Sequence, residues 1–289
     1  MKTIKHLGAW FAVLAVLGAC STASLAETKG KNPKYVGTQI TDRWVVRAGA
    51  FSAAFDTEAA FASASVLGVV IRLEDDLGLE SQVDTATVGG RYRFNENHQI
   101  AFSYADLDRS ATRVLDKDIE FGDYVFKAGS GLSTEFGTSM FRVKWKYNVA
   151  EGDRLAAGFG LGLSTFAINL GLEGQIEVDD GNGGQLLRSA QEGSDFIAPV
   201  PLVGMWIDYA IMARLIVRAS VEAVSFSVSG NSGRVLDSAF FLEYYFTRLF
   251  GLGFGLSSTD IEFGKDDGDK FLRVDYRVDA FQTYLSFVF

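Results

Sequence analysis

The chain has little cysteine, histidine or proline: one Cys, two His and three Pro in 289 residues. A single Cys cannot form a disulfide framework, and one Cys with two His cannot supply a four-ligand Cys/His zinc site. Positive charge is also scarce. The net charge of −9 argues against general nucleic-acid binding, which needs a basic face to displace counterions.

Beyond the first 26 residues the chain also lacks any hydrophobic run long enough for a transmembrane helix, although 48% of its residues are apolar and 13% aromatic. That content is too high for a disordered chain. The apolar residues are therefore dispersed, and their spacing has to indicate the class of protein.

The first 26 residues have the features of an export signal. Lys2 and Lys5 give a positively charged start, residues 7–19 form an apolar stretch too short to span a bilayer, and residues 24–26 offer small side chains to signal peptidase. A second cleavage stays open, because the Leu-Gly-Ala before Cys20 resembles a lipobox in which Cys20 would be acylated. We predict a signal peptide at 1–26.

Most of the remaining chain alternates between apolar and polar residues with a period of two. Between residues 140 and 149, aromatic and aliphatic residues occupy every second position and Arg, Lys and Asn lie between them. A helix would spread these side chains around its whole circumference, so the pattern predicts a strand with one apolar and one charged face. We predict ten strands of this kind: 43–55, 84–94, 98–113, 135–149, 153–172, 195–209, 214–229, 236–247, 250–263 and 271–289.

The end of the chain separates a soluble sandwich from a membrane barrel. Phe281, Leu285, Phe287 and Phe289 fall at alternate positions counted from the C-terminus, which resembles the assembly signal of Gram-negative outer-membrane β-barrels. Short polar turns alternate with long polar connections, as in such barrels. We predict an all-β protein: a transmembrane antiparallel β-barrel over 43–289, with short periplasmic turns and long extracellular loops, after a periplasmic lead-in at 27–42.

The strand number has two alternatives, eight or twelve. Residues 57–83 and 113–134 contain further strand-like runs, which we interpret as extensions above the membrane or an extracellular hairpin. Aromatic residues near strand ends suggest a girdle at the membrane interface. Its predicted members are Trp44, Tyr92, Trp145, Tyr147, Trp206 and Tyr209.

Charged residues at the other strand positions predict a polar lumen. A ten-stranded barrel is narrow, so these side chains either plug the interior as an ion-pair network or line a small basic channel that favours anions. Glycines at alternate positions would keep space open and favour a cavity. The predicted lumen residues are Arg47, Arg91, Arg93, Arg142, Lys144, Lys146, Arg218, Glu222 and Glu243.

Acidic residues concentrate in the predicted outer connections, at residues 74–76, 179–180 and 266–269. Two interpretations stay open: the acids solvate the loops, or they hold divalent cations that bridge lipopolysaccharide phosphates, since hard cations prefer carboxylate oxygen. No cluster has the spacing of an EF-hand. We therefore predict no dedicated metal site and no cofactor.

The positions of the two histidines argue against catalysis. Families of outer-membrane barrel enzymes generally use an essential His at the membrane rim, as a base or paired with Asp or Ser. Here His6 lies in the signal peptide and His98 lies in a predicted periplasmic turn. We predict no enzyme activity and no catalytic residues.

Over residues 43–289 the chain resembles the small outer-membrane β-barrels of the OmpA, OmpX and OmpW porin-like kind. It is more similar to a group of outer-membrane proteins without an established activity, through residues 73–79, 92–95 with His98, and 118–123. The resemblance implies an integral protein of the Gram-negative outer membrane, in contact with lipid and lipopolysaccharide and assembled by the barrel-assembly machinery. An envelope-structural or surface-interaction role is the first hypothesis, a narrow solute channel the second and a lipid-active enzyme the third; the oligomeric state is open.

Overall fold

The computed structural model describes residues 42–63, 66–116, 119–121, 124–126, 128–179, 185–228, 230–266 and 270–288. Within these ranges the chain forms thirteen strands and one short helix. The first strands are β1 (Trp44–Ser63), β2 (Val66–Arg72), β3 (Gln82–Arg93), β4 (His98–Val114), β5 (Ile119–Phe121), β6 (Tyr124–Phe126) and β7 (Gly131–Glu151). They are followed by β8 (Leu155–Asp179), β9 (Gln185–Met212), β10 (Leu215–Val228), β11 (Asn231–Tyr245), β12 (Phe250–Asp266) and β13 (Lys270–Val288), and the helix α1 is Leu73–Asp76.

Ten of the strands close into an antiparallel barrel. The order around the ring is β1, β3, β4, β7, β8, β9, β10, β11, β12 and β13, and β13 pairs with β1 to complete it. The other strands are additions: β2 folds back on the far part of β1, and β5 with β6 forms a hairpin beside β8. The predicted barrel of ten strands is confirmed, and the two extra strand-like runs lie where the sequence suggested an extension and a hairpin.

The two ends of the barrel differ. At the turn end, short connections join β3 to β4, β7 to β8, β9 to β10 and β11 to β12, and β1 begins and β13 ends there. At the loop end the strands run further than the sequence predicted, because residues 173–179, 185–194, 231–235 and 264–266 are also strand. The connection between β10 and β11 is only residues 229–230. Much of the polar sequence expected in loops therefore continues the barrel wall.

Alternate side chains on each strand form an apolar belt on the outside. On β13 the outward positions run through Phe281, Thr283, Leu285 and Phe287, and Leu285 is 41% exposed in the isolated chain. Towards the loop end the same row of β13 becomes Asp279, Arg277, Asp275 and Arg273. This change from apolar to charged residues marks the edge of the belt, and the wall beyond it is polar on its outer face. No helix among the residues listed above is long and apolar enough to cross a membrane.

Aromatic rings gather near the turn end of the belt. Trp44 packs against Tyr92 in a tilted arrangement at 4.4 Å between centroids, and Trp145 stacks on His98 at 5.5 Å. Trp206, which the sequence analysis placed in this girdle, faces inward and is 6% exposed. Its position alternates with Ile207 and so belongs to the lumen face of β9.

Candidate functional site: the lumen

The lumen is the only part of the described chain where buried polar and charged side chains gather in numbers, so it is the candidate site. Its turn end is closed by an apolar floor. The floor residues come from β1, β8, β9, β10, β11 and β13 around the ring: Val45, Ala156, Trp206, Ala210, Ile216, Tyr245 and Val288. They are buried together at the turn end, so they form an apolar layer below the charged residues on this side of the ring.

Glu243 of β11 is the centre of the charged layer and has no exposed surface. Its Oε1 accepts from Arg47 Nε at 2.8 Å and from the Tyr284 hydroxyl at 2.8 Å. Its Oε2 accepts from Arg218 Nε at 2.9 Å and from the Tyr245 hydroxyl at 2.9 Å. A buried carboxylate with two cations and two hydroxyl donors is fully satisfied, which is the condition for burying charge without a large penalty.

Several ion pairs cross the lumen. Arg142 Nη2 of β7 lies 2.8 Å from Asp237 Oδ2 of β11, and these strands are four places apart in the ring. Lys144 Nζ of β7 lies 2.6 Å from Glu222 Oε1 of β10, three places away. Pairs between non-adjacent strands can form only across the interior, so they fill the lumen rather than line it.

A second set of pairs joins the same layer. Arg91 Nη1 of β3 lies 3.6 Å from Asp208 Oδ2 of β9, four places away in the ring. Arg218 also donates to Asp208. Nearer the turn end, Arg93 pairs with Glu151. Charges from β3, β7, β9 and β10 are thereby tied into one layer.

The alternating glycines make room for these side chains. A Cβ on Gly253 would lie 2.3 Å from ring atoms of Tyr284, so the absence of a side chain lets that ring cross β12 and reach Glu243. On β8, a Cβ at Gly162 would lie 3.3 Å from Lys144 Cγ. The glycines were expected to keep space open; at Gly253 the space is filled by an aromatic ring.

The loop half of the lumen is closed by a plug segment, residues 71–79, which folds into the barrel. Its apolar side chains Ile71, Leu73, Leu77 and Leu79 are buried against residues of the wall. Gly78 has a φ of +74°, a left-handed conformation that favours glycine, and the Leu79 amide donates to the Leu73 carbonyl at 3.2 Å. This turn ends α1 and directs Leu79 inward.

Wall residues from five strands receive the plug segment. They are Phe51, Ala53 and Phe55 of β1, Leu107 of β4, Leu132 and Phe136 of β7, Leu172 of β8, and Tyr276, Val278 and Ala280 of β13. Burying an aliphatic side chain is worth about 1.5–3 kcal/mol, so the plug segment is held mainly by the hydrophobic effect.

Arg109 of β4 fastens the plug segment to the wall. Its Nη1 donates to Glu74 Oε1 at 2.6 Å, and the guanidinium lies 4.1 Å from the ring centroid of Phe55 and 4.8 Å from that of Phe136. Glu74 Oε2 also accepts from the Thr57 amide at 2.9 Å. A carboxylate and two aromatic faces therefore compensate much of the cost of burying this charge, although the Arg109 Nε donor has no partner in the described structure.

Within the charged layer, above the ring of Trp206, lies a cavity of about 240 Å³. Its cationic lining residues are Arg47, Arg91, Arg142, Lys144, Lys146 and Arg218. Phe51 and Met140 line it as well, as do Asp208 and Asp237. The cavity is therefore polar and predominantly basic, with apolar residues on part of its surface.

The structure brings eight of the nine sequence-predicted lumen residues into contact with an acidic or basic partner. The ninth, Lys146, lies with its ammonium 3.7 Å from the ring centroid of Trp206. The sequence analysis missed Glu151, Asp208, Asp237, Tyr245, Tyr284, Arg109 and Glu74. Strand parity could have identified most of these, since Asp208 alternates with Ile207 and Tyr209, and Tyr284 alternates with Thr283 and Leu285.

Two carboxylates of the acidic run at 74–76 already bind groups within the chain. Glu74 binds Arg109, and Asp76 accepts from the Arg72 amide at 2.9 Å. The carboxylates of the runs at 179–180 and 266–269 lie outside the described side chains. In the portion of the chain that the structure describes, no group of three His, Cys, Asp or Glu side chains could hold a metal ion.

The other predicted residues lie as follows. Phe281, Leu285 and Phe287 face outward on the belt, and Phe289 lies outside the described residues, as do Cys20 and the segments 1–26 and 27–41. His98 begins β4 at the turn end, 5.5 Å from Trp145 and 5.3 Å from Tyr147 between ring centroids.

Comparison with known proteins gives structural matches only. No family model matches the chain, and no curated protein does either. The outer membrane protease OmpT from Escherichia coli matches with a TM-score of 0.50 at 9% identity, over 85% of this chain and 97% of that one. The toluene transporter TodX of Pseudomonas putida matches with a TM-score of 0.36 at 9% identity, over 90% of this chain and 94% of that one. The outer membrane protein OprG of Pseudomonas aeruginosa matches with a TM-score of 0.31 at 9% identity, over 86% of this chain and 96% of that one.

At 9% identity the likeness to OmpT shows the fold alone. Fold and surface agree: a closed barrel with an apolar outer belt and a polar lumen is an outer-membrane β-barrel of a Gram-negative bacterium. The belt is in contact with outer-membrane lipid. The turn end is then periplasmic and the loop end extracellular.

Proposed function

We propose that the protein is a closed, non-catalytic barrel with a structural role in the outer membrane. The observation that carries this proposal is the double closure of the lumen. Ion pairs between strands three and four places apart cross the periplasmic half, and the plug segment fills the extracellular half. A solute would have to break both layers to pass.

The outer surface supports an envelope role. Above the belt, β12 and β13 carry outward charges of both signs, and Arg277 Nε donates to Asp279 Oδ2 at 2.9 Å. These outward charges of β12 and β13 would lie at the height of lipopolysaccharide head groups, whose phosphates attract arginine. The barrel would then act as a rigid, lipid-anchored element of the outer leaflet.

The exposed C-terminal row supports assembly by the barrel-assembly machinery. Phe281, Leu285 and Phe287 form an apolar stripe on the last strand that only Thr283 interrupts. Such a stripe is available for recognition until β13 pairs with β1 and the surface enters lipid.

A non-catalytic role is supported by the position of His98. OmpT is named a protease, but in this chain the one histidine after residue 26 is packed between aromatic rings at the periplasmic turns. It lies at the end of the barrel opposite the extracellular surface, so it cannot act on surface lipids or external peptides.

A narrow anion-preferring channel is the second candidate, favoured by the basic cavity of about 240 Å³. Deletion and complementation in the source bacterium separate the two. For a structural barrel, deletion raises sensitivity to detergent and to vancomycin, and the intact gene restores resistance. If deletion instead lowers uptake of a small anionic solute without changing resistance, the channel is correct. A changed lipid A mass profile would contradict the non-catalytic assignment.

A further inference from the structure

The charged layer of the lumen carries an excess of cations. The layer contains seven bases, Arg47, Arg91, Arg93, Arg142, Lys144, Lys146 and Arg218, and five acids, Glu151, Asp208, Glu222, Asp237 and Glu243. Each acid already serves at least one cation. The excess of two positive charges is therefore not balanced by carboxylates within the layer.

The excess is concentrated around the cavity. Lys146 lines it and makes no ion pair among the described residues; its ammonium rests on the Trp206 ring. A cation–π contact stabilises an ammonium but leaves its hydrogen-bond donors unused.

Arg218 also lines the cavity and keeps one unsatisfied donor, which is buried beside it. Its side chain is 9% exposed, and its Nε and Nη1 bind Glu243 and Asp208. Its Nη2 is fully buried and has no hydrogen-bond partner in the described structure. A buried donor without a partner carries a desolvation penalty, which a bound acceptor would remove.

We propose that this cavity binds a small inorganic anion, held by Lys146 and Arg218 above the Trp206 ring. Six cationic and two acidic side chains line a space of about 240 Å³, and water occupies about 30 Å³ per molecule, so a partly hydrated anion fits. The anion would balance the excess charge of the layer and strengthen the closure of the lumen. The inference rests on the lumen geometry and adds a ligand to the closed barrel proposed above.

Iodide quenching of Trp206 fluorescence tests the proposal, because iodide is a small anion and Trp206 forms part of the cavity wall. The full-length protein is prepared with W10F, W44F and W145F, which leaves Trp206 as the one tryptophan. Reconstituted barrels are equilibrated with iodide or with caesium, a cationic quencher, at constant ionic strength. The structure predicts saturable quenching by iodide, weak quenching by caesium, and competition by chloride or inorganic phosphate.

Lys146→Met should weaken the iodide affinity about tenfold, the equivalent of one lost charged contact. Arg273→Gln, which removes a positive charge from the outer surface, is the matched control and should leave it unchanged. Absence of quenching, or saturable quenching that survives Lys146→Met, overturns the anion site. Linear quenching with equal slopes for iodide and caesium would also overturn it and would indicate an open aqueous lumen. If the barrel shows neither conductance nor iodide binding, the anion site is rejected and the closed barrel stands.

Discussion

Arg109 Nη1 on β4 lies 2.6 Å from Glu74 Oε1 on α1, and this ion pair joins the plug segment to the barrel wall. The Arg109 side chain has no exposed surface, and that of Glu74 is 13% exposed. Because the pair is shielded from water, its attraction is much stronger than that of a surface ion pair. The extracellular closure therefore combines apolar contacts with one buried ion pair that a single substitution can break.

Arg109→Met should loosen the plug segment without unfolding the barrel. The substitution keeps an apolar stem near Phe55 and Phe136 but leaves the Glu74 carboxylate without its cation, which in buried pairs costs about 3–5 kcal/mol. We expect protease added to reconstituted vesicles to cleave between residues 64 and 81 in the variant only. Arg273→Gln is the control. An unchanged cleavage pattern would show that the apolar contacts alone hold the segment.

Glu243→Met should destabilise the periplasmic layer. It leaves Arg47 and Arg218 facing each other without the carboxylate they share, so we expect a loss of about 3–5 kcal/mol in urea unfolding from vesicles. Glu262→Met, on the outer face of β12, should change stability by less than about 0.5 kcal/mol. Equal effects of the two substitutions would contradict a buried network centred on Glu243.

Gly253→Ala should displace the Tyr284 ring and break its hydrogen bond to Glu243. The new Cβ would meet ring atoms at 2.3 Å, and overpacking of this kind costs about 1–3 kcal/mol. At Gly160 the nearest atom to an added Cβ is 3.5 Å away, so Gly160→Ala is the matched control. Unfolding curves of the two variants that coincide would rule out a space-making role for Gly253.

Leu285→Arg should impair membrane insertion, because it places a charge on the lipid face. Arginine near the middle of such a belt costs about 2–4 kcal/mol, against about 0–1 kcal/mol near its edge. Glu262→Arg, on the exposed outer face of β12 opposite Asp275 and beyond the belt, should therefore fold normally. Heat-modifiable migration in SDS gels reports the folded fraction. Normal folding of Leu285→Arg would place the membrane at another height.

Alkaline pH should destabilise the extracellular half through Tyr276, which lies beyond the belt beside Arg277 and Asp275. Burial raises the pKa of the Tyr276 phenol to about 12, above the usual value near 10. The unfolded chain releases this proton first, so stability is complete below pH 10 and is lost as pH rises towards 12. The expected loss is about 2–3 kcal/mol, and Tyr276→Phe should abolish it. An identical pH profile for both proteins would contradict the burial.

Strand periodicity predicted the barrel because it is a local property. Arg142 and Lys144 alternate with Phe141 and Val143, and this alone assigns their faces. Their partners Asp237 and Glu222 lie on strands that meet them only after the ring closes. Pairing across the lumen depends on strand number and register together, and neither is encoded in the local pattern.

The predicted position of Trp206 is wrong and the plug segment was not predicted, and each difference has a physical reason. Trp206 was assigned to the girdle by residue type, although its parity with Asp208 places it inside. Residues 57–83 were interpreted as an extension or hairpin above the membrane, and the three acids at 74–76 obscured the leucines at 73, 77 and 79. The plug forms only because the wall offers Arg109 and apolar rings at the right height, which is a tertiary property.

Single-channel recording in planar bilayers tests the closed lumen most directly. The account predicts no conductance steps for the wild-type protein at neutral pH. It also predicts discrete steps when the plug segment and the central carboxylate are disrupted together, by Leu77→Ser, Leu79→Ser and Glu243→Gln. Stable steps of uniform size from the wild-type barrel would contradict the account and establish a channel.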